Sequence, residues 1–345
     1  MTLRQPLVAA ASALATLAMT AAQADTVTMR NGDRLSGTVL HMASQSLTLD
    51  TPYAGNVQLP WGEVTSVATD KRATLILKGE AGPREGRLSP SKPGYLVLGP
   101  DDPKRPAAQI ALSRVRYVDP TPSESGSGVE YKGHVTLAAS RVAGNSTGAN
   151  LNGDAALEAR AKSYRYELRG SVDQATLSGQ TVTSNSLLSA HVDRFVVDQK
   201  HFQYLRASAE RDRFRDLKLR SAVGGGYGWQ LIDDGVTEFS VRGGLDLVAV
   251  DRYANPAERY PALGWGLQFS RWVWQHRIKL FHDQDGYWDL SHTGEVLLRT
   301  RTGLRVPIIK RLLATAELDV DWDRHPALGV KPTDSTLLLG LGYQW

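Results

Sequence analysis

The chain has no cysteine among its 345 residues. That excludes disulfides, thiolate metal sites and thiol nucleophiles together, and it suits a polypeptide that crosses an oxidising compartment unfolded. After Ala24 there is no run of 18 apolar residues, so transmembrane helices are excluded. Charge of one sign is also scarce: 40 Lys and Arg stand against 36 Asp and Glu, a formal net charge of +4. Such a balance argues against nucleic acid as a partner and against a strongly basic surface overall. Neither His-Glu-x-x-His nor Gly-x-x-x-x-Gly-Lys occurs, which removes two common signatures of metalloproteases and nucleotide binders. The expectation is a protein that is not an enzyme and that carries no cofactor and no metal.

What the chain does contain begins at its N-terminus. Arg4 supplies a positive start, Leu7 to Thr20 is rich in Ala and Leu, and Ala22-Gln23-Ala24 fits a small-x-small cleavage site before Asp25. Residues 1–24 therefore read as a secretory signal peptide, with the mature chain starting near Asp25. An uncleaved anchor helix needs about 20 apolar residues; this run is shorter and no charged stop follows it.

The other end reads TDSTLLLGLGYQW, from Thr333 to Trp345. On a strand, Leu337, Leu339, Leu341, Tyr343 and Trp345 share one face, and Thr336, Leu338, Gly340, Gly342 and Gln344 the other. One face suits lipid and the other a lumen. The pattern resembles the closing strand of bacterial outer-membrane barrels, whose terminal aromatic is read by the barrel-assembly machinery. Tyr343 and Trp345 are the residues that would carry that signal.

Between these ends the chain divides at Asp119 to Gly128, DPTPSESGSG, a run without apolar residues that reads as an exposed tether over 119–128. Upstream, residues 25–118 hold two copies of one pattern with a period of roughly 50 residues. Gly37-Thr38-Val39 matches Gly86-Arg87-Leu88, Leu47-Thr48-Leu49 matches Leu96-Val97-Leu98, Val57-Gln58-Leu59 matches Ile110-Ala111-Leu112, and Val64 and Val67 match Val115 and Val118. Asn31-Gly32 is a strong hairpin signal. Each copy reads as a small SH3-like β unit, a binding or packing module with no catalytic residues of its own. Trp61 and Tyr53 are expected in the core or between the repeats, the alternative being exposed ligand contacts.

Downstream, residues 129–345 alternate polar and apolar positions between turn residues, without helical periodicity. Arg165, Glu167 and Arg169 oppose Tyr164, Tyr166 and Leu168, while Arg242 and Asp246 oppose Val241 and Leu245. A soluble sandwich can show one wet face, but its strands usually run about 5 to 6 residues, against about 9 to 11 for a membrane strand. Trp229, Trp265, Trp272, Trp274, Tyr287, Trp288, Trp322 and Trp345 fall near strand ends, as interfacial girdles do. The fold class expected is all-β: a transmembrane antiparallel barrel of about 12 strands preceded by two SH3-like repeats.

Asn31-Gly32-Asp33-Arg34-Leu35-Ser36-Gly37, Gly144-Asn145-Ser146-Thr147, and Glu210 to Leu217 followed by Gly224-Gly225-Gly226-Tyr227-Gly228 resemble the family catalogued as domain of unknown function 481. Its members are often labelled salt-induced outer membrane proteins. The resemblance spans most of the mature chain and implies an outer-membrane β-barrel, with no activity and no catalytic residues to carry over.

A lumen of about twelve strands lies between eight-stranded barrels filled by side chains and sixteen-stranded water channels. On one predicted hairpin the inward face carries Glu295, Arg299, Arg301 and Arg305, and its partner carries Glu317, Asp319, Asp321 and Asp323. Facing basic and acidic rows can set up a transverse field that selects small polar solutes. Alternatively they neutralise each other as cross-strand pairs, with Arg165, Glu167, Arg169, Lys218, Arg220, Arg242 and Asp246 completing a plugged interior. His276, His282 and His292 with Ser270 or Ser291 could supply a lipid hydrolase, but nothing raises them above background. No helix is expected after the Gly224 to Gly228 run, so it reads as architecture.

An even strand count puts both barrel termini at one end, and the closing strand of such barrels ends in the periplasm. The expected location is therefore the outer membrane, with the repeats in the periplasm. Two functions stay open. One is a narrow channel for ions or small solutes. The other is an envelope-structural or stress-related binding protein that uses the barrel as an anchor, with outer-membrane lipid, the assembly machinery, and peptidoglycan or a periplasmic protein as partners.

Overall fold

The computed structural model describes residues 24–43, 45–80, 82–99, 107–143, 147–197, 200–274, 277–292, 294–326 and 329–345. The signal-peptide run up to Gln23 lies outside them, as do Gly144, Asn145 and Ser146.

Two copies of one unit open the chain. The first comprises β1 (Asp25–Met29), β2 (Arg34–Ala43), β3 (Ser46–Thr51), β4 (Gly55–Pro60), a 3-10 turn over Trp61–Glu63, and β5 (Val64–Ala68). In the second follow β6 (Arg72–Leu77), β7 (Arg84–Pro90), β8 (Tyr95–Gly99), β9 (Ala108–Ala111), a 3-10 turn over Leu112–Arg114, and β10 (Val115–Val118). Within each unit consecutive strands pair through the fourth, and the fifth returns to the first: β1 with β5, β6 with β10. The matching turns correct one sequence alignment. Trp61 corresponds to Leu112 and Leu59 to Ile110, a shift of two from the match between 57–59 and 110–112.

Gly37 and Gly86 recur because a Cβ there would overlap the carbonyl of Asp50 or Gly99 on the neighbouring strand. The units share one core. Val118 bridges to Met42 across β10 and β2, and Val27, Met42, Leu47, Leu49, Leu75, Leu88, Leu96 and Val118 form one buried cluster. Trp61 is only 4% exposed, and its Nε1 donates to the carbonyl of Leu112 in the other unit at 3.0 Å. Tyr53 departs from the expectation of packing. It stands fully exposed in the turn between β3 and β4, where no neighbouring strand reaches over it.

The segment read as an exposed tether contains one turn of helix, α1 (Pro122–Ser125). Thr121 and Glu124 form a capping box and Pro122 sits at the first helical position, a local signal hidden among turn residues. The turn is held to the repeats. Asp119 accepts a hydrogen bond from Thr74 N at 2.7 Å, His41 Nδ1 meets the Asp119 carbonyl at 3.0 Å, and His41 Nε2 lies 3.3 Å from Glu124. Burial alone would lower the His41 pKa, but Glu124 and the Asp119 carbonyl outweigh it and leave it raised.

Twelve strands then close a barrel: β11 (Glu130–Val142), β12 (Gly148–Arg160), β13 (Tyr164–Leu177), β14 (Gln180–Val197), β15 (His201–Asp212), β16 (Leu217–Asp233), β17 (Thr237–Arg252), β18 (Glu258–Val273), β19 (Ile278–Asp289), β20 (Val296–Ile309), β21 (Leu312–Asp323) and β22 (Thr333–Gln344). Every strand is antiparallel to its neighbours, and β22 returns to β11 with His134 opposite Gln344 and Leu137 opposite Leu341. Both barrel termini therefore lie at one end. Turns at that end are short, such as Lys310-Arg311 between β20 and β21, whereas residues 324–332 join β21 to β22 at the other.

The wall alternates as lipid and lumen demand. Leu337, Leu339 and Leu341 are exposed outward, whereas Leu338 is buried inward. The Trp345 ring occupies the space a Cβ at Gly133 would take, and the backbones of Gly133 and Trp345 exchange hydrogen bonds, so the terminal aromatic seals the seam.

Candidate functional site: a lumen of ion pairs

The inward faces of the strands bring charges together from all around the barrel. Register sets the first contacts: Arg299 stands opposite Asp321 and Arg301 opposite Asp319 on β20 and β21. Arg299 Nε donates to Asp321 at 2.7 Å, Arg301 lies 3.8 Å from Asp319, and Arg305 lies 4.0 Å from Glu317.

These side chains also reach across the lumen. Arg299 donates to Glu210 on β15 at 2.7 Å, and Arg301 to Asp154 on β12 at 2.9 Å. Asp321 further meets Arg215, from the turn after β15, at 3.3 Å. Arg305 contacts His134 on β11 at 2.9 Å, and His134 in turn meets Asp154 at 2.8 Å. Each row thus finds partners on non-adjacent strands, so the basic and acidic ladders do not remain two separate walls facing across open space. Charge of both signs is mixed within each level.

A second group continues the network. Arg206 on β15 donates to both carboxylate oxygens of Asp246 on β17, at 2.8 and 2.7 Å, a bidentate pair that fixes geometry as well as charge. Arg242 donates to Asp285 at 2.8 Å, and the Arg206 guanidinium lies 4.6 Å from the Tyr287 ring centroid. Arg169 bridges Glu167 and Asp283. Towards the terminal end, Arg165 donates to Asp193 at 2.7 Å between the rings of Phe195 and Phe202.

The glycine run explains how so much fits. Gly224 lies beneath the Arg206–Asp246 pair, and a Cβ there or at Gly264 would overlap Asp246. Gly224 makes room for a side chain, and at Gly226 a Cβ would overlap the backbone of Gly243 and Gly244, the close approach of another backbone that was expected. A cavity of about 40 Å³ is lined by Arg169, Asp283, Asp285, Arg299 and Arg301 among others, which holds no more than a few waters.

Several sequence assignments change. Lys218 is exposed, although Arg220 is buried inward, because the β16–β17 register shifts between Leu217 and Leu219 and reverses the alternation. Tyr287 shares the inward face of Asp283 and Asp285 and packs on Arg206, so it belongs to the lumen and not to a girdle. Trp272 falls on the inward alternation of Ser270, with Lys279 near its ring. Ser270 bonds Glu238 inside, whereas His282 lies on the other face of β19 and bonds Thr302. Opposite sides of the wall separate them. His292 pairs with Asp289 beyond the far end of β19, and His276 lies outside the described residues. The spacing Gly-x-Ser-x-Gly occurs at Gly144 to Gly148, but Gly148 opens strand β12, whereas a nucleophile elbow leads into a helix.

Sequence reasoning missed Asp154, Arg206, Glu210, Asp283 and Asp285. Asp285, Asp283 and Glu210 stand opposite Arg299, Arg301 and Arg220, whereas Asp154 and Arg206 share only the inward parity and meet their partners on non-adjacent strands. Alternation around them, carried strand by strand, would have found them.

Residues 135–345 match the model of the family described as "Protein of unknown function, DUF481". The chain belongs to this family. No curated protein matches this DUF481 member. Among solved structures, it is similar to the translocator domain of autotransporter NalP from Neisseria meningitidis, with 13% identity and a TM-score of 0.36, over 63% of this chain and 88% of that one. A bacterial polysaccharide outer membrane secretin shares 8% identity at a TM-score of 0.33, over 64% and 98% of the two chains. CdiB from Acinetobacter baumannii shares 10% identity at 0.28, over 93% of this chain and 59% of its own length. Likeness at this level carries no functional inference.

Proposed function

We propose that this DUF481 member is an outer-membrane anchor whose barrel is closed by ion pairs and whose N-terminal repeats work in the periplasm as an envelope-binding module. The observation that carries the reading is the cross-lumen pairing of Arg299 with Glu210 and Arg301 with Asp154. A conducting pore must keep its charges available to passing ions, whereas these are engaged with one another. Buried charges left unpaired are costly, so the network favours staying shut. No catalytic step is assigned to the protein, and no cofactor.

Orientation follows from the shared end of the barrel termini. Trp345 closes the barrel beside Gly133, and the repeats enter the barrel at Glu130 on the same end, which in barrels of this type is periplasmic. The barrel-assembly machinery and outer-membrane lipid are then partners in biogenesis, and peptidoglycan or a periplasmic protein the partner of the repeats.

The test is electrical. Full-length protein in planar bilayers is expected to show no single-channel conductance at high salt, and Arg299→Ala with Arg301→Ala is expected to raise it above the baseline. Steady conductance from the unaltered chain would favour the second reading, a narrow path for small ions through the cavity beside Arg169 and Asp283. Protease added to intact cells is expected to spare residues 25–118; cleavage there without permeabilisation would invert the topology.

A further inference from the structure

On β19 and β20 the outward positions carry polar side chains in mid-strand. Asp283 and Asp285 point into the lumen with Arg301 and Arg299, so His282 and Gln284 point out, and register sets them opposite Thr302 and Thr300. His282 Nδ1 lies 2.7 Å from Thr302 Oγ1, as two side chains on one face must. None of the four stands at a strand end. Along β19 they lie between Leu280 and Trp288, and along β20 between Leu304 and Leu298, all on the outward parity. The adjoining strands place Phe269 and Leu267 beside His282 and Gln284 on one side, and Leu318 and Val320 beside Thr302 and Thr300 on the other. A polar square is thus enclosed by apolar side chains within the band that faces hydrocarbon.

A polar group that faces lipid without a hydrogen-bond partner is destabilising. His282 and Thr302 satisfy each other in part, but the imidazole has a second nitrogen, and neither Gln284 nor Thr300 finds a side-chain partner among the described residues. Acyl chains supply neither donor nor acceptor. Headgroups lie too far away: Trp288, an outward aromatic of the kind that marks the interface, is four residues beyond Gln284, about 13 Å along the strand. Folding does not require these groups either, since apolar residues fill the matching outward positions of β18 and β21. What completes them is a polar group of another protein at the same depth.

We infer that this patch is the interface between two copies of the chain, side by side in the membrane about a two-fold axis along the membrane normal. Copies inserted in one direction are related by such an axis, which keeps every residue at its own depth and makes the surface meet itself. The patch is self-complementary. A carboxamide both donates and accepts, so Gln284 can exchange two hydrogen bonds with its counterpart, and a neutral imidazole also carries one donor and one acceptor. No carboxylate or guanidinium lies among the four, so two such faces do not repel. At the next outward position of β19, Gly286, the Trp265 ring lies where a Cβ would stand, so that large side chain leans along the wall and leaves room for a second barrel to approach. The inference rests on the barrel lying in a bilayer and not on whether its lumen conducts.

Because the chain lacks cysteine, a single introduced thiol reports a single contact. Thr300→Cys keeps His282 and Gln284, and treating outer membranes that hold this full-length variant with a short bis-maleimide is expected to give a band at twice the chain mass. Leu168→Cys, exposed on β13 half-way round the barrel, is expected to give none. In the Thr300→Cys background, Gln284→Leu is expected to weaken the band and His282→Leu with Gln284→Leu to abolish it. Leucine suits a lipid-facing position, and heat-modifiable gel mobility establishes that each variant folds. The inference is overturned if Thr300→Cys gives no such band, if the double leucine variant gives as much of it, or if Leu168→Cys gives it equally. A product of any other mass marks a different partner and overturns it too. A chain absent from the outer-membrane fraction would remove the anchor reading and this one together, whereas a chain present there that fails to cross-link removes this one alone.

Discussion

Met42, Leu47, Leu49, Leu75, Leu88 and Leu96 are sealed inside the N-terminal sheet, while in the barrel Arg206, Asp246 and Glu317 are sealed to nearly the same degree. Both regions are antiparallel β structure, and both alternate along every strand. They differ in which face meets the solvent. The repeats turn apolar residues inward because water surrounds them. The barrel turns them outward because hydrocarbon surrounds it, which leaves its interior to polar groups that must satisfy each other. Interior composition thus reports the medium outside. It also sets how each region fails: an apolar core loses contacts gradually, whereas an ionic one leaves an uncompensated charge when a single partner is lost.

The sharpest way to break the comparison is to remove one ion and keep its partner. Arg206→Leu strands Asp246, and the expected cost is about 3–5 kcal/mol, read by denaturant unfolding in lipid or detergent. Replacing both, Arg206→Met with Asp246→Leu, is expected to recover most of that loss, because paired burial is often nearly neutral against apolar residues. If the single and double variants were equally unstable, the pair would not be the reason for the cost.

A cavity in the apolar interior should cost less. Leu75→Ala is expected to destabilise the repeats by about 3 kcal/mol, with the barrel's heat-modifiable mobility unchanged; loss of both together would mean that the regions unfold as one. Smaller again is overpacking: Gly264→Ala places a methyl group against Asp246 and Arg206, expected to cost about 1–3 kcal/mol by the same unfolding measurement. The smallest effect concerns the junction between the regions. His41 has a raised pKa and faces Glu124 and the Asp119 carbonyl, with Glu130 adding to the field. Its stabilising contribution is then fully present below the ordinary imidazole value of about 6.5, and is lost as pH rises through the raised folded value. Proteolysis at residues 119–128 is expected to quicken over that rise, and His41→Gln to flatten the dependence.

Much of the fold was legible because alternation is a local property. The faces of β13, β17, β21 and β22 followed from residue parity alone, and the repeat was visible through Gly37 and Gly86. Local pattern failed where the backbone itself departed from regularity. A bulge beside Lys218 reversed its face, and a capping box inside DPTPSESGSG ordered a segment that composition marked as free. Tyr53 was misplaced for another reason: a large side chain in a small domain is usually needed in the core, but Trp61 already fills the junction between the repeats.

By itself the amino-acid order determined that strands with one apolar face would be long enough to span a bilayer and that two related units would precede them. Only the tertiary structure decided which charge meets which. Arg301 and Asp154 are 147 positions apart, and their meeting depends on strand register and closure of the barrel, which bring non-adjacent strands within reach across the lumen. An ion pair depends on distance in space, and alternation along a strand records only which side each charge is on.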